Sequence, residues 1–278
     1  MKEKNTLLLP AALAALSETL FRCSTQENTE FTAREAAAGA VFAFGITAAL
    51  LILCSACRCQ LEQLTTTSVG KSGLLVLLWL CAGICIFQIL KVYRQQFLGT
   101  GIWPVVLGLL FLRLRPAPQA LARISCALLA ICALLGVWLL AGIVPMLRWQ
   151  NLSTRPINAG KAAESFFRAL TPLPEYMLLP LWGRLHKNQA AGLAAVSAAG
   201  FWPFIFFTEM IFGYREAEGC YPVMEGIRCW EFGRFSSADS LAIAFWLALT
   251  YLRLLLIGTM LQEISQGRNN GAGNRHEA

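Results

Sequence analysis

Charged and histidine side chains are scarce in this chain, and their scarcity excludes several classes of function. Charged residues make up 14% of its 278 residues, whereas soluble domains carry about 25%. The two histidines, His186 and His276, have no acidic or cysteine neighbours at metal-ligand spacing, so the sequence predicts no metal site. Asp239 is the single aspartate, and no nucleophile–base pair, zinc-protease motif or phosphate-binding loop is present. We therefore expect neither an enzyme nor a bound cofactor.

Apolar residues dominate instead, at 56% of the chain with a mean hydropathy of +0.56. A helix needs about 20 mostly apolar residues to cross a bilayer, and six apolar stretches approach or exceed that length. They are residues 36–57, 72–92, 97–112, 123–147, 189–213 and 240–262. Two shorter stretches that proline interrupts, 7–22 and 169–183, are further candidates. The sequence thus predicts an all-α fold, a polytopic bundle of transmembrane helices with membrane lipid around it.

The charge pattern sets the expected topology. Residues 1–265 are predicted to form a single membrane domain of six to eight spans, and the Gly/Asn-rich tail 266–278 is predicted to be disordered. The placement of Lys and Arg favours six spans over eight, and both models put residues 214–239 on the non-cytoplasmic side, opposite the termini. Because the basic residues flank apolar stretches, the net charge of +7 does not indicate nucleic-acid binding.

The segment from Ala169 to Gly183 is apolar but contains Pro172, Pro174 and Pro180 together with one carboxylate, Glu175. Proline breaks a helix, and in hydrocarbon the freed carbonyl groups need partners in protein or in a water-lined cavity. An ionisable group at such a break is a candidate binding site. Either Glu175 lines a small-molecule cavity, or the segment is an interfacial helix and the carboxylate reaches the membrane surface.

Arg253 lies well inside the last apolar stretch. A guanidinium near the middle of a membrane is costly, so it should face a cavity or a carboxylate. Glu209 is one possible partner at a different depth. Alternatively, Arg253 faces the helix bundle as a purely structural residue.

The ten cysteines raise a redox hypothesis. Cys54 and Cys57 form a CxxC at the end of a predicted span, as a membrane thiol oxidoreductase would require. Four others lie within apolar stretches, where cysteine behaves as a small hydrophobic residue; they are Cys81, Cys85, Cys126 and Cys132. In the external loop, a disulfide between Cys220 and Cys229 is plausible in an oxidising compartment.

Weak internal repetition is visible as well. The two proline-interrupted stretches, 7–22 and 169–183, each precede longer spans, as discontinuous helices do in inverted-repeat transporters. The first half would hold five spans over residues 7–147, and the second half would stop after three.

Residues between Asn151 and Glu263 carry a family resemblance, in three stretches. The stretches are Asn151-Leu152 with Pro156 and Gly160 ahead of Pro172–Glu175; Arg184–Lys187 ahead of the small-residue-rich 190–200 and Phe212-Gly213; and Tyr221-Pro222, Glu225, Ile227-Arg228, Phe232-Gly233 and Phe235, followed by Trp246, Tyr251 and Arg253. In these stretches the chain resembles a shortened member of the B-subunit family of bacterial spore germination receptors, within the amino acid–polyamine–organocation transporter superfamily.

The resemblance implies an incomplete five-plus-five inverted-repeat fold in the inner spore membrane, that is, a bacterial cytoplasmic membrane. It implies a membrane subunit of a nutrient-germinant receptor that senses a small molecule such as an amino acid, with an A-type and a lipoprotein C-type subunit as partners. The expected ligand-binding residues are Pro172, Pro174, Glu175 and Tyr176, with Trp246, Tyr251 and Arg253 across the cavity. A secondary amino-acid transporter and a thiol oxidoreductase using Cys54 and Cys57 are the alternatives.

Overall fold

The structure, a computed structural model, describes residues 7–25, 31–97, 102–114, 116–170, 173–183, 185–199, 201–216 and 238–266. All regular structure in these ranges is helical, which confirms the all-α prediction for them. The α-helices are α1 (Leu8–Thr25), α2 (Ala33–Ala56), α3 (Arg58–Thr66), α4 (Ser68–Phe97), α5 (Trp103–Arg113), α6 (Pro118–Ile143), α7 (Ala159–Ala169), α8 (Leu173–Leu178), α9 (Lys187–Ala199), α10 (Phe201–Glu216) and α11 (Ala238–Gln266). Short 3-10 turns follow α6 and α8, at Val144–Met146, Trp149–Asn151 and Leu179–Leu181.

Four stretches within the described ranges are helical, long and apolar enough to cross a membrane. They are Ala33–Ala56, Ser68–Arg94, Pro118–Met146 and Ile243–Gln266. These stretches coincide with four of the six predicted spans and agree with an integral membrane protein. The inverted repeat and the total number of spans stay predictions, as does the tail, since residues 267–278 lie outside the described residues.

Two predicted spans have a different form in the structure. In the stretch 97–112 the helix is α5, whose eleven residues reach only about 16 Å at 1.5 Å per residue. Pro104 in its first turn explains the late start, since proline is accepted there but not inside a helix. The stretch 189–213 is divided between α9 and α10, and α10 is kinked at Gly213, whose φ of 74° is left-handed.

Two groups of helices pack around different centres. The helix α11 contacts α1, α4 and α5, and its leucines lie in the largest apolar core. The helix α2 contacts α7, α9 and α10 through small residues, with Ala43, Ala169 and Ala198 in one cluster. The short helix α8 touches both α2 and α4, so it lies between the two groups.

Glycines allow two of these helix pairs to approach closely. A Cβ added at Gly39 of α2 would lie 2.6 Å from the backbone nitrogen of Phe166 in α7. A Cβ at Gly258 of α11 would lie 2.5 Å from the carbonyl oxygen of Leu112 at the end of α5. Small residues bring helix backbones together in this way in membranes, where packing drives association.

Candidate functional site

In the segment 169–183, the described prolines lie in short helical elements and not inside one long helix. Pro174 is the second residue of α8, where its missing N–H costs little, and Pro180 lies in the 3-10 turn that follows. Pro172 lies outside the described residues. The result is a six-residue helix that carries Glu175 and Tyr176 into the bundle, where each side chain is only 1% exposed. Burial of Glu175 favours the interior interpretation over a carboxylate at the membrane surface.

Arg253 meets the Glu175 carboxylate directly. Its Nε donates to Oε1 at 2.9 Å and to Oε2 at 3.1 Å, and its Nη2 lies 2.8 Å from Oε1. The same guanidinium donates through Nη1 to Oε2 of Glu18. Gln88 then donates from Nε2 to that oxygen of Glu18 at 2.8 Å. We name Glu18, Gln88, Glu175 and Arg253 the buried charge network.

Each member of the buried charge network comes from a different helix. Glu18 is on α1, Gln88 on α4, Glu175 on α8 and Arg253 on α11, and none is more than 5% exposed. Taking an ion out of water costs several kcal/mol, which only well-made, charge-assisted hydrogen bonds offset. The network therefore fixes the relative positions of four helices through polar contacts inside an apolar core.

Sequence reasoning predicted the contents of this site only in part. The expectation that Arg253 faces a carboxylate is met by Glu175 and Glu18, whereas Glu209, the suggested partner, lies elsewhere. Glu175 and Arg253 touch each other instead of facing across a cavity. Glu18 and Gln88 were missed, although a glutamate eleven residues into an apolar helix is a visible signal.

The aromatic residues on α11 divide between two faces of that helix. Trp246, seven residues before Arg253, shares its face because seven residues make about two turns. Its indole Nε1 donates to the carbonyl oxygen of Ser17 at 2.9 Å, beside Glu18. Tyr251 is about 200° around the helix from Arg253 and stacks on Phe111 of α5 at a centroid distance of 4.6 Å. The structure thus brings Trp246 to the network and places Tyr251 away from it.

Tyr176 contributes a polar atom that the fold leaves unused. Its hydroxyl is buried, and it has no hydrogen-bond partner among the described residues. An unpaired buried hydroxyl is unfavourable by about 1–3 kcal/mol. Tyr176 follows Glu175 directly in α8, so this unpaired hydroxyl belongs to the same short helix as the network carboxylate.

A second pair of buried carboxylates, Glu35 and Glu209, accepts hydrogen bonds around the start of α2. Glu35 forms a capping box with Thr32 and accepts the backbone N–H of Asn158 at 3.0 Å. Glu209 accepts the backbone N–H groups of Ala33 and of Ser153, the latter at 2.7 Å. Ala33 and Asn158 lie at the N-termini of α2 and α7, where negative charge is favoured, whereas Ser153 lies in the loop before α7. Glu209 is therefore occupied by backbone donors, which explains why it does not reach Arg253.

The cysteines that suggested redox chemistry are free thiols where the structure describes them. Cys57 and Cys59 are exposed and Cys54 is half-buried, whereas Cys81 and Cys85 are buried in α4. The predicted disulfide between Cys220 and Cys229 lies outside the described residues. Within the described ranges, no three His, Cys, Asp or Glu side chains meet as a metal site would require.

Comparison of the chain with protein-family models, with curated proteins and with solved structures finds no match. The family resemblance therefore has no support beyond the sequence stretches between Asn151 and Glu263. The candidate site is supported by the geometry of its residues alone.

Proposed function

We propose that this chain is the membrane-embedded subunit of a nutrient-germinant receptor in the inner membrane of a bacterial spore, and that it senses a small zwitterion such as an amino acid. The observation that carries the proposal is the buried charge network at the proline-interrupted segment. The sequence resemblance over residues 151–263 supplies the class of protein, with an A-type and a lipoprotein C-type subunit as the partners.

The chemistry of the network suits a ligand with one carboxylate and one ammonium group. A guanidinium binds a carboxylate through two parallel hydrogen bonds, as Arg253 binds Glu175 through Nη2 to Oε1 and Nε to Oε2. A ligand carboxylate could take the place of Glu175 on Arg253, and the ligand ammonium could pair with the released carboxylate. The hydroxyl of Tyr176 would then gain a partner. In this scheme Glu18 and Glu175 pair with Arg253 until the carboxylate of a ligand displaces Glu175.

The position of α8 explains how such an exchange could be sensed. The segment that contains α8 is tied to α11 at two points, by Glu175 to Arg253 and by the indole of Trp182, which donates to Glu263. Its far end is tied to α2, since the hydroxyl of Ser55 donates to the carbonyl oxygen of Leu185 at 3.1 Å. Release of Glu175 removes one tie to α11. A ligand that favours the released form would shift the population of α8 positions relative to both helix groups.

Ligand binding by the purified chain in lipid nanodiscs tests the proposal. We expect amino acids, screened one at a time, to raise the thermal unfolding temperature of the protein. In the Glu175→Gln variant, the dissociation constant of an active amino acid should rise at least tenfold, or about 1.4 kcal/mol. Glu62→Gln is the matched control, because Glu62 pairs with Arg58 at the exposed start of α3. Equal affinity in Glu175→Gln and wild type would remove the site assignment.

A spore assay tests the biological role separately. Spores that carry Glu175→Ala should lose germination in response to some nutrients, while spores with the Glu62→Gln control should respond normally. Unchanged germination of the Glu175→Ala spores across all nutrients would argue against the receptor.

A secondary amino-acid transporter is the second candidate, because ionisable side chains on facing helices inside an apolar core also mark substrate and ion pathways in carriers. Uptake of a labelled amino acid into proteoliposomes distinguishes the two. The receptor proposal expects binding without accumulation, whereas uptake that Glu175→Gln abolishes would establish the transporter.

A further inference from the structure

Cys54 and Cys57 lie one helical turn apart where α2 ends. The backbone N–H of Cys57 donates to the carbonyl oxygen of Leu53 at 2.8 Å, so the α-helical geometry extends to the second cysteine. Cys57 is exposed, and Cys54 is half-buried next to it. Neither thiol has a role in the buried charge network or in the proposed ligand exchange.

The helix itself brings the two cysteines within reach of a covalent bond. Residues three apart in an α-helix have Cα atoms about 5 Å apart and lie on the same side. Disulfides join cysteines whose Cα atoms are about 4.4–6.8 Å apart. Cys57 lies where α2 ends and α3 begins, with φ −87° and ψ 19°, and its carbonyl oxygen accepts the backbone N–H groups of Gln60 and Leu61. The pair can close by a local change at the end of α2, where α3 begins.

We propose that Cys54 and Cys57 form a dithiol site that undergoes thiol–disulfide exchange with low-molecular-weight disulfides. The exposed thiolate of Cys57 attacks one sulfur of the small disulfide, whose S–S bond breaks and releases one small thiol. The thiolate of Cys54 then attacks the Cys57 sulfur and releases the second small thiol. The two cysteines are oxidised by two electrons, the small disulfide is reduced to two thiols, and the protons from the cysteines pass to the leaving thiolates.

The surroundings give the exchange a structural consequence. The hydroxyl of Ser55, between the two cysteines, donates to the carbonyl oxygen of Leu185, two residues beyond the proline-interrupted segment. Closing the disulfide draws Cys57 toward Cys54 and changes the angle between α2 and α3. The hydrogen bond from Ser55 to Leu185 starts from this same turn, so the change would affect it. The site is independent of the proposed receptor function, since it needs neither a ligand nor the charge network.

Mass spectrometry of the full chain in nanodiscs tests the site. The protein is equilibrated with different ratios of reduced to oxidised glutathione, then free thiols are alkylated and the chain is cleaved with trypsin. Residues 35–58 form one peptide whose two cysteines are Cys54 and Cys57, and residues 72–91 form another whose cysteines are Cys81 and Cys85. We expect the first peptide to lose two hydrogens reversibly as the ratio falls, while the second stays reduced because its cysteines are buried.

Single variants separate the two steps of the exchange. Both variants are made in a Cys59→Ser background, which removes the other exposed thiol near Cys57. In Cys54→Ser, Cys57 should then accumulate a glutathione adduct, because the Cys54 thiol that would displace it is gone. In Cys57→Ser, the half-buried Cys54 should gain far less of the adduct. If the wild-type 35–58 peptide never forms the internal disulfide at any ratio, or carries only a stable glutathione adduct at Cys57, the proposal is wrong. Circular dichroism of each variant verifies that the helices are intact.

Discussion

At the scale of single residues, Arg253 shows how a costly side chain becomes a determinant of structure. It lies in the middle of α11, its two neighbours in sequence are leucines, and it is 4% exposed. A carboxylate offsets the burial of a guanidinium, and the fold supplies two, from α1 and α8. Such pairs contribute little net stability compared with apolar side chains of the same shape, but removing one partner leaves an uncompensated charge.

Replacing Arg253 with methionine should therefore destabilise the protein strongly. The variant Arg253→Met leaves Glu18 and Glu175 without the guanidinium, and we expect a loss of about 3–5 kcal/mol in the free energy of unfolding. The measurement is reversible unfolding in mixed micelles by an anionic detergent, followed by circular dichroism. The exposed pair supplies the control, since Arg58→Met should cost less than about 1 kcal/mol. A similar, small loss in both variants would show that the network has little structural effect.

At the scale of helices, the breaks are compensated by specific hydrogen bonds. The left-handed Gly213 interrupts the helical backbone of α10 shortly after Met210 and Ile211. The side chain of Asn151 donates to the carbonyl oxygens of both, at 3.0 and 3.2 Å, and the backbone of Arg148 also donates to that of Met210. A connecting loop thus supplies hydrogen bonds to carbonyl oxygens at the interruption of α10, as buried backbone groups require.

Helix contacts through glycine lead to a second prediction, at Gly258. In Gly258→Ala the new Cβ would lie 2.5 Å from the backbone oxygen of Leu112, so α5 and α11 must separate. We expect a loss of about 1–3 kcal/mol, measured by the same detergent unfolding. The control is Gly136→Ala in α6, where nothing lies within 4 Å and alanine should leave stability unchanged or raise it by up to about 1 kcal/mol. Equal stabilities of the two variants would contradict the close approach of α5 to α11.

Across the whole molecule, the sequence predicts composition-driven features well and pairings poorly. Length and hydropathy predict four stretches that the structure describes as membrane-length helices. The burial of Glu175 could be suspected from three prolines and one acid. The pairing of Arg253 with Glu18 could not, because the residues are 235 positions apart and apolar patterning does not specify which helices meet. The division of residues 189–213 into α9 and α10 could not be predicted either, because both helices are apolar.

The exposed apolar surface of α6 tests whether the whole molecule lies in a membrane. None of the most apolar part of this helix is buried within the protein, and Leu134 and Val137 are 72% and 68% exposed. In water a patch of this kind would favour aggregation, whereas in a membrane it faces lipid tails. A spin label at position 134 in nanodiscs should therefore be relaxed by oxygen, which concentrates in hydrocarbon, and not by a water-soluble nickel chelate. A label at Glu62 should show the reverse, because α3 is exposed and bears charges. Strong relaxation of the 134 label by nickel would mean that α6 meets water, and the membrane arrangement would then have to be abandoned.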